Sequence, residues 1–171
     1  MHARDIIREG VDRALAMIEQ GARSREILTY LATVAEGVVR PASAISILVL
    51  DQQGLLRNGA SPNLPADYLD AIDRLKPDPN LGTCAAAAAT GEVVITPDFM
   101  ADDKWAELRH LPMALGFRGA WSNPIKDAEG RVLGTFGVYY REPGEPSQEE
   151  REAVGTLAAV AARALGQLQH A

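Results

Sequence analysis

The stretch RGAWSNPIKDAEGRVLGTFGVYYRE, residues 118–142, holds the clearest hairpin in the chain. Two apolar, β-prone runs flank Asp127-Ala128-Glu129-Gly130, whose acidic residues and glycine suit a turn. A hairpin makes its strands antiparallel neighbours. Side chains alternate along a strand, so Trp121 and Ser122 must face opposite ways, as must Tyr139 and Tyr140.

The elements on either side fit the same kind of sheet. SAISILVLD, residues 43–51, reads as a buried strand, DQQG as the turn after it, and LLRNGA, 55–60, as the return strand. EVVIT, 92–96, is a further short strand. PSQEEREAVGTLAAVAARALGQLQ, 146–169, is a long helix in which Ser147 and Glu150 have capping-box spacing. Val154, Leu157, Ala158, Ala161, Leu165 and Leu168 form its apolar face. Near the start, Ile7, Val11, Ala14, Leu15 and Ile18 stripe one helix that stops at Gly21. Ser24 is placed to cap a second helix, which buries Ile27, Leu28, Leu31, Val34, Ala35 and Val38 and is expected to end at Pro41.

The middle of the chain is less regular. Leu64, Tyr68, Leu69 and Ile72 suggest a short helix, and KPDPN at 76–80 breaks the chain. Residues 97–117 read as a loop and then a helix, capped by Asp102 or Asp103 and interrupted by Pro112. The order is helix, helix, hairpin, helix, short helix and strand, helix, hairpin, helix. That predicts an α+β fold with an antiparallel sheet and helices on its faces. No repeat or linker divides it.

Composition narrows the function classes. The chain has 171 residues, 47% of them hydrophobic, enough for one core. Its formal charge of −6 and the lack of a Lys/Arg cluster argue against a nucleic-acid partner. One cysteine excludes an internal disulfide and a multi-cysteine metal site. His2, His110 and His170 are far apart, and no HExxH or CxxC spacing occurs. The longest apolar runs fall short of the roughly 18 residues that suggest a membrane span. MHARDIIREG lacks the apolar centre of a signal peptide, so the expected location is cytoplasmic.

LGTCAAAAATGEVVI, residues 81–95, poses the chemical question. Cys84 opens a run of strong helix formers that Gly91 closes. No His, Asp or Asn motif marks a base for the thiol, so Cys84 reads first as a small apolar filler and second as a reactive group. The alanines either pack closely on a neighbouring layer or leave a cavity above it. Close packing is expected, because empty volume costs stability.

LGTCAAAAATGEVVI, DDKWAELRHLPMALGFRGAWSNPI, DAEGRVLGTFGVYYRE and PSQEEREAVGTLAAVAARAL together resemble a GAF domain of the bacterial signalling type. The resemblance rests on Cys84, Trp105, Trp121-Ser122, Pro124-Ile125 and Leu133-Gly134-Thr135-Phe136, and covers about residues 24–168. It implies a single domain over 1–171, with an N-terminal helix at 1–20 and a C-terminal helix at 147–169. It implies a GAF/PAS-like sheet of about six strands, with the first and last helices on one face and a guest-sized ligand pocket on the other. Ala85 stands where such domains usually have glycine, so the turn there should be more helical.

The function this implies is non-catalytic sensing of an unidentified small molecule, with the signal passed through the terminal helices of a homodimer to an effector domain or protein. The ligand-site candidates are Cys84, Phe99, Trp105, His110, Phe117, Trp121 and Tyr139. No cofactor is assigned. The alternatives are a ligand-free dimerisation or docking module, thiol redox activity at Cys84, and haem binding at His110.

Overall fold

The computed structural model of the protein describes residues 2–169, with side chains through 166. Leu168 and His170 therefore lie outside the described side chains. The elements are helices α1 (Ala3–Glu19), α2 (Ser24–Glu36), α3 (Ala66–Ala71), α4 (Cys84–Thr90), α5 (His110–Ala114) and α6 (Gln148–Gln169). The strands are β1 (Ala44–Leu50), β2 (Leu56–Ala60), β3 (Val94–Thr96), β4 (Gly119–Lys126) and β5 (Val132–Tyr140).

The strands form one sheet in the order β2-β1-β5-β4-β3, with every pair antiparallel. Both expected hairpins are present and share one turn design. Asp51 Oδ1 accepts from the Gln53 and Leu55 amides, and Asp127 Oδ1 accepts from those of Glu129 and Arg131. Among the described residues the sheet has five strands rather than about six. Outside β2 there is only a bridge between Leu56 and Leu75. Leu56 N donates to Leu75 O at 2.8 Å and Arg74 N donates to Leu56 O at 3.0 Å. Pro77 and Pro79 follow, and they lack the donors that would extend a ladder.

The two faces of the sheet carry different side chains. Ile45, Ile47, Trp121, Ile125, Phe136, Val138 and Tyr140 belong to the core shared with the outer helices. Helices α2 and α6 pack on the sheet there, and α1 packs on both of them. Residues 2–7 flank 148–156, and Val11 and Leu15 flank 152–163, so α1 and α6 run side by side in the same direction. A Cβ at Gly10 would lie 2.8 Å from Val34 Cγ1, which is why α1 and α2 approach so closely.

The opposite face is small in its middle row, where Ser46, Gly137 and Ser122 stand side by side across β1, β5 and β4. Helix α4 rests on β4 and β5. A Cβ at Gly137 would fall 3.0 Å from Cys84 Sγ. The alanine run thus packs closely, with Cys84 through Ala88 buried. The helix includes Ala85 and ends at Gly91, whose φ of 70° terminates it.

Some local expectations need correction. Ser24 is the first residue of α2 and makes no capping bond. That helix ends at Glu36 with Gly37 as its cap, before Pro41 is reached, and Val39 rather than Val38 is buried. Residues 97–117 form no single helix. Asp98 and Asp102 each cap a short 3₁₀ turn, Phe99–Ala101 and Asp103–Trp105, and Pro112 sits in the first turn of the brief α5, where a missing donor is tolerated. The Ser147–Glu150 box forms as expected: Glu150 N donates to Ser147 Oγ at 3.1 Å and Ser147 N to Glu150 Oε1 at 3.0 Å.

Candidate functional site

The face under α4 gathers the chemistry. Gly82, with φ of 59°, leads into α4 and leaves room for the Trp105 ring, 3.6 Å from where a Cβ would stand. Gly82 N donates to Lys104 O at 2.9 Å, tying this lead-in to the Trp105 turn. Asp102 fixes that turn by accepting from Lys104 N, from Lys104 Nζ and from Thr96 Oγ1. Burial pushes its carboxyl up, but the Lys104 ammonium and the Thr96 hydroxyl outweigh that and hold it below the ordinary range.

Between α3, α4 and the sheet lies a cavity of about 20 Å³, room for one water molecule. The guest-sized hollow expected here is nearly closed, because α4 sits down on the Ser46-Gly137-Ser122 row and aromatic rings fill the rest. Tyr68, Leu75, Cys84, Trp105, Leu108 and Tyr139 are among its walls. Tyr68 Oη and Tyr139 Oη are hydrogen-bonded at 2.7 Å, with the rings edge to face. Burial raises both phenol pKa values, so both side chains are neutral.

Cys84 is buried and free. Burial pushes its thiol up, more strongly than the nearby Ser122, Thr135 and Thr83 hydroxyls pull it down. That is the reverse of what a nucleophilic thiolate needs. Ser122 Oγ and Thr135 Oγ1 approach the sulfur, yet neither makes a hydrogen bond of acceptable geometry, and Trp105 Nε1 is also buried without a partner.

The structure brings only part of the predicted set together. Cys84, Trp105 and Tyr139 line the cavity. Phe99 stands against Trp105, with ring centroids 4.4 Å apart, and Phe117 against Tyr139 at 5.5 Å, so both support wall residues. His110 is exposed at the start of α5 and does not line the cavity. Trp121 is on the opposite face, where its Nε1 donates to Tyr140 Oη at 2.8 Å. Sequence reasoning missed Tyr68 and Leu75 as wall residues; the Tyr68/Ile72 spacing on a short helix was the available signal for the first.

Larger hollows lie outside the sheet's helical layer. Two open troughs of about 760 and 780 Å³ run along α1 and α6, the second lined by Val11, Leu15, Gly155 and Ala159. Their size reflects openness to solvent, and the enclosed polar chemistry is on the other face. Among the described residues no three His, Cys, Asp or Glu side chains gather to hold a metal ion, and no helix is long and apolar enough to cross a membrane.

Known proteins place this geometry. The methyl sulfide methyltransferase-associated sensor of Methanosarcina acetivorans is 35% identical over 161 residues, covering 94% of this chain but 16% of that protein. The chain thus spans about a sixth of that relative's length. The fold matches the GAF domain of a phosphoenolpyruvate-protein phosphotransferase from Coxiella burnetii, with a TM-score of 0.77, 18% identity and coverage of 99% and 98% of the two chains. It also matches a type II free methionine-R-sulfoxide reductase from Thermoplasma acidophilum, with a TM-score of 0.69, 15% identity and coverage of 84% and 93%. A phosphotransferase's GAF domain and a reductase therefore share this fold, and fold alone does not choose a function. The GAF domain family model matches residues 22–166, and with the antiparallel sheet, the sandwiched α4 and the sensor relative in agreement, this chain belongs to the GAF domain family.

Proposed function

We propose that this GAF domain is a non-catalytic cytoplasmic module that senses a small molecule between α4 and the sheet and passes the event to its terminal helices. The observation that carries this reading is Trp105 Nε1, a buried donor without a partner on a residue that lines the cavity. A buried donor left unpaired costs about 1–3 kcal/mol, a cost that a bound guest would relieve. The guest enters by displacing the α3–α4 segment, and it shifts the domain between two arrangements by no more than its differential affinity for them. The output runs through α1 and α6, in a homodimer formed along these helices, to an effector domain or protein. The sensor name of the Methanosarcina relative agrees with this role.

Thermal unfolding against a metabolite collection, with native mass spectrometry of freshly purified protein, tests the proposal. A ligand at 100 times its Kd adds about 2.7 kcal/mol, a clear rise in Tm. No stabilising compound and no co-purifying mass would overturn it.

The second reading is a ligand-free dimerisation module. The nearly closed cavity and the apolar trough of Val11, Leu15, Gly155 and Ala159 favour it. It predicts a stable dimer by light scattering that Ala159→Glu dissociates, with no response to any small molecule.

A further inference from the structure

We infer that the guest admitted when the α3–α4 segment moves off this cavity, which in its closed form has room for about one water, is an uncharged, largely apolar molecule that offers hydrogen-bond acceptors, such as a ketone, amide, ester or lactone, to the Tyr68–Tyr139 hydroxyl pair and the Trp105 indole N–H. This rests on the sensing role proposed above and narrows it to a ligand class.

The exclusion of charge comes from the walls. Among the twelve described residues lining the cavity there is no Asp, Glu, Lys, Arg or His. Asp102 and Lys104, beside Trp105 in the chain, are bonded to each other. The Arg109 guanidinium is directed at backbone oxygens of Met100 and Trp105. An ion entering the cavity would lose its hydration and find no opposite charge, whereas a neutral molecule loses far less.

The demand for acceptors comes from counting protons. A hydroxyl pair has two O–H protons, and the Tyr68–Tyr139 bond uses one of them. The other has no acceptor among the described residues. Trp105 Nε1 can only donate, and it too is unpartnered. Cys84 S–H adds a weak donor to the same wall. Thr83 adds a hydroxyl that can donate or accept, and Leu48, Ile72, Leu75, Leu81 and Leu108 supply the apolar remainder, so the site presents mainly donors set in an apolar shell.

Four matched probes test this on the full chain at one pH: acetophenone, toluene, benzoate and benzylammonium. Binding is read from the indole N–H resonance of Trp105, assigned by its loss in Trp105→Phe, and from Tm. Acetophenone is expected to bind and move that resonance. Toluene should bind about tenfold more weakly, as the loss of one or two neutral hydrogen bonds implies, and the two ions more weakly still. The double variant Tyr68→Phe/Tyr139→Phe should remove the hydroxyl share of the acetophenone advantage and leave toluene unchanged, whereas either single variant, which still carries one free O–H, should keep much of it. Benzoate or benzylammonium binding as tightly as acetophenone overturns the neutral class and leaves the sensing role standing. Toluene matching acetophenone overturns the donor assignment. Failure of all four to bind overturns the cavity reading and this inference with it.

Discussion

Tyr139 and Tyr140 are neighbours on β5 whose hydroxyls are hydrogen-bonded on opposite sides of the sheet. Tyr139 meets Tyr68 at 2.7 Å under α4, and Tyr140 accepts from Trp121 at 2.8 Å under the helical layer. The Arg40 guanidinium lies 3.8 Å from the centroid of the Tyr140 ring, and Arg40 also bonds Glu150 in the first turn of α6. Consecutive residues thus fasten the end of β5 to the cavity and to the start of α6. A displacement of that strand end acts on both.

The Tyr68–Tyr139 bond should show itself in a double-mutant cycle. Tyr139→Phe leaves the Tyr68 hydroxyl buried and alone, a loss of about 1–3 kcal/mol. The double phenylalanine variant should lose less than the sum of the two single variants, measured by denaturant unfolding. Strict additivity would mean that the bond contributes nothing.

Glu150 should give the domain an acid-sensitive joint. Burial raises its pKa, but the amides of Ser147 and Arg40 and the Arg40 guanidinium outweigh that and hold it below the ordinary 4.5. Its stabilising contribution is complete above 4.5 and is lost as pH falls from there through the lowered folded value. Glu150→Gln should cost about 1.5–3 kcal/mol at neutral pH, and the gap to the parent should close in acid. A gap that stays constant down to low pH would disprove the ionic part of this joint.

Gly137→Ala should pry α4 from the sheet. The new methyl meets Cys84 Sγ at 3.0 Å and Ser46 O at 3.2 Å, and overpacking of this kind costs about 1–3 kcal/mol. Cys84→Ala in the same chain should recover part of the loss, since it removes the first of those contacts. Calorimetry of the single and double variants measures this, and an undiminished loss in the double variant would place the strain elsewhere.

The Cys84 thiol should be alkylated far more slowly in the folded protein than in urea. Its raised pKa means that its contribution to stability is full below the ordinary 9.0 and falls as pH rises past it. Tyr68 and Tyr139 act with the same sign above 10.0. Thiol labelling at several pH values reads this directly, and rapid native labelling at neutral pH would contradict the burial.

The antiparallel hairpins, the α6 capping box and the apolar stripes of the helices were legible in the sequence because they depend on neighbours within a few residues. The separation of Trp121 from Ser122, and of Tyr139 from Tyr140, was legible for the same reason. Which of each pair faces the cavity was not, because β5 is buried on both faces and alternation carries no label for either side. Trp121 looked like a wall residue by size, yet the row containing Ser46, Gly137 and Ser122 is the one that lets α4 descend. The Arg40–Glu150 contact joins positions 110 apart, so spacing gave no hint of it. The edge at Leu75 ends after one bridge because of Pro77 and Pro79, which the sequence displayed as a chain break without revealing what stood before it.

The shared direction of α1 and α6 sets the start of one beside the root of the other. A chain arriving at α1 enters beside the root of α6, and leaves at the tip of that 22-residue helix, about 33 Å farther along the same axis. On the output route proposed above, the Arg40–Glu150 clasp holds the root of α6, at the opposite end from the tip where a movement of that helix would be handed on.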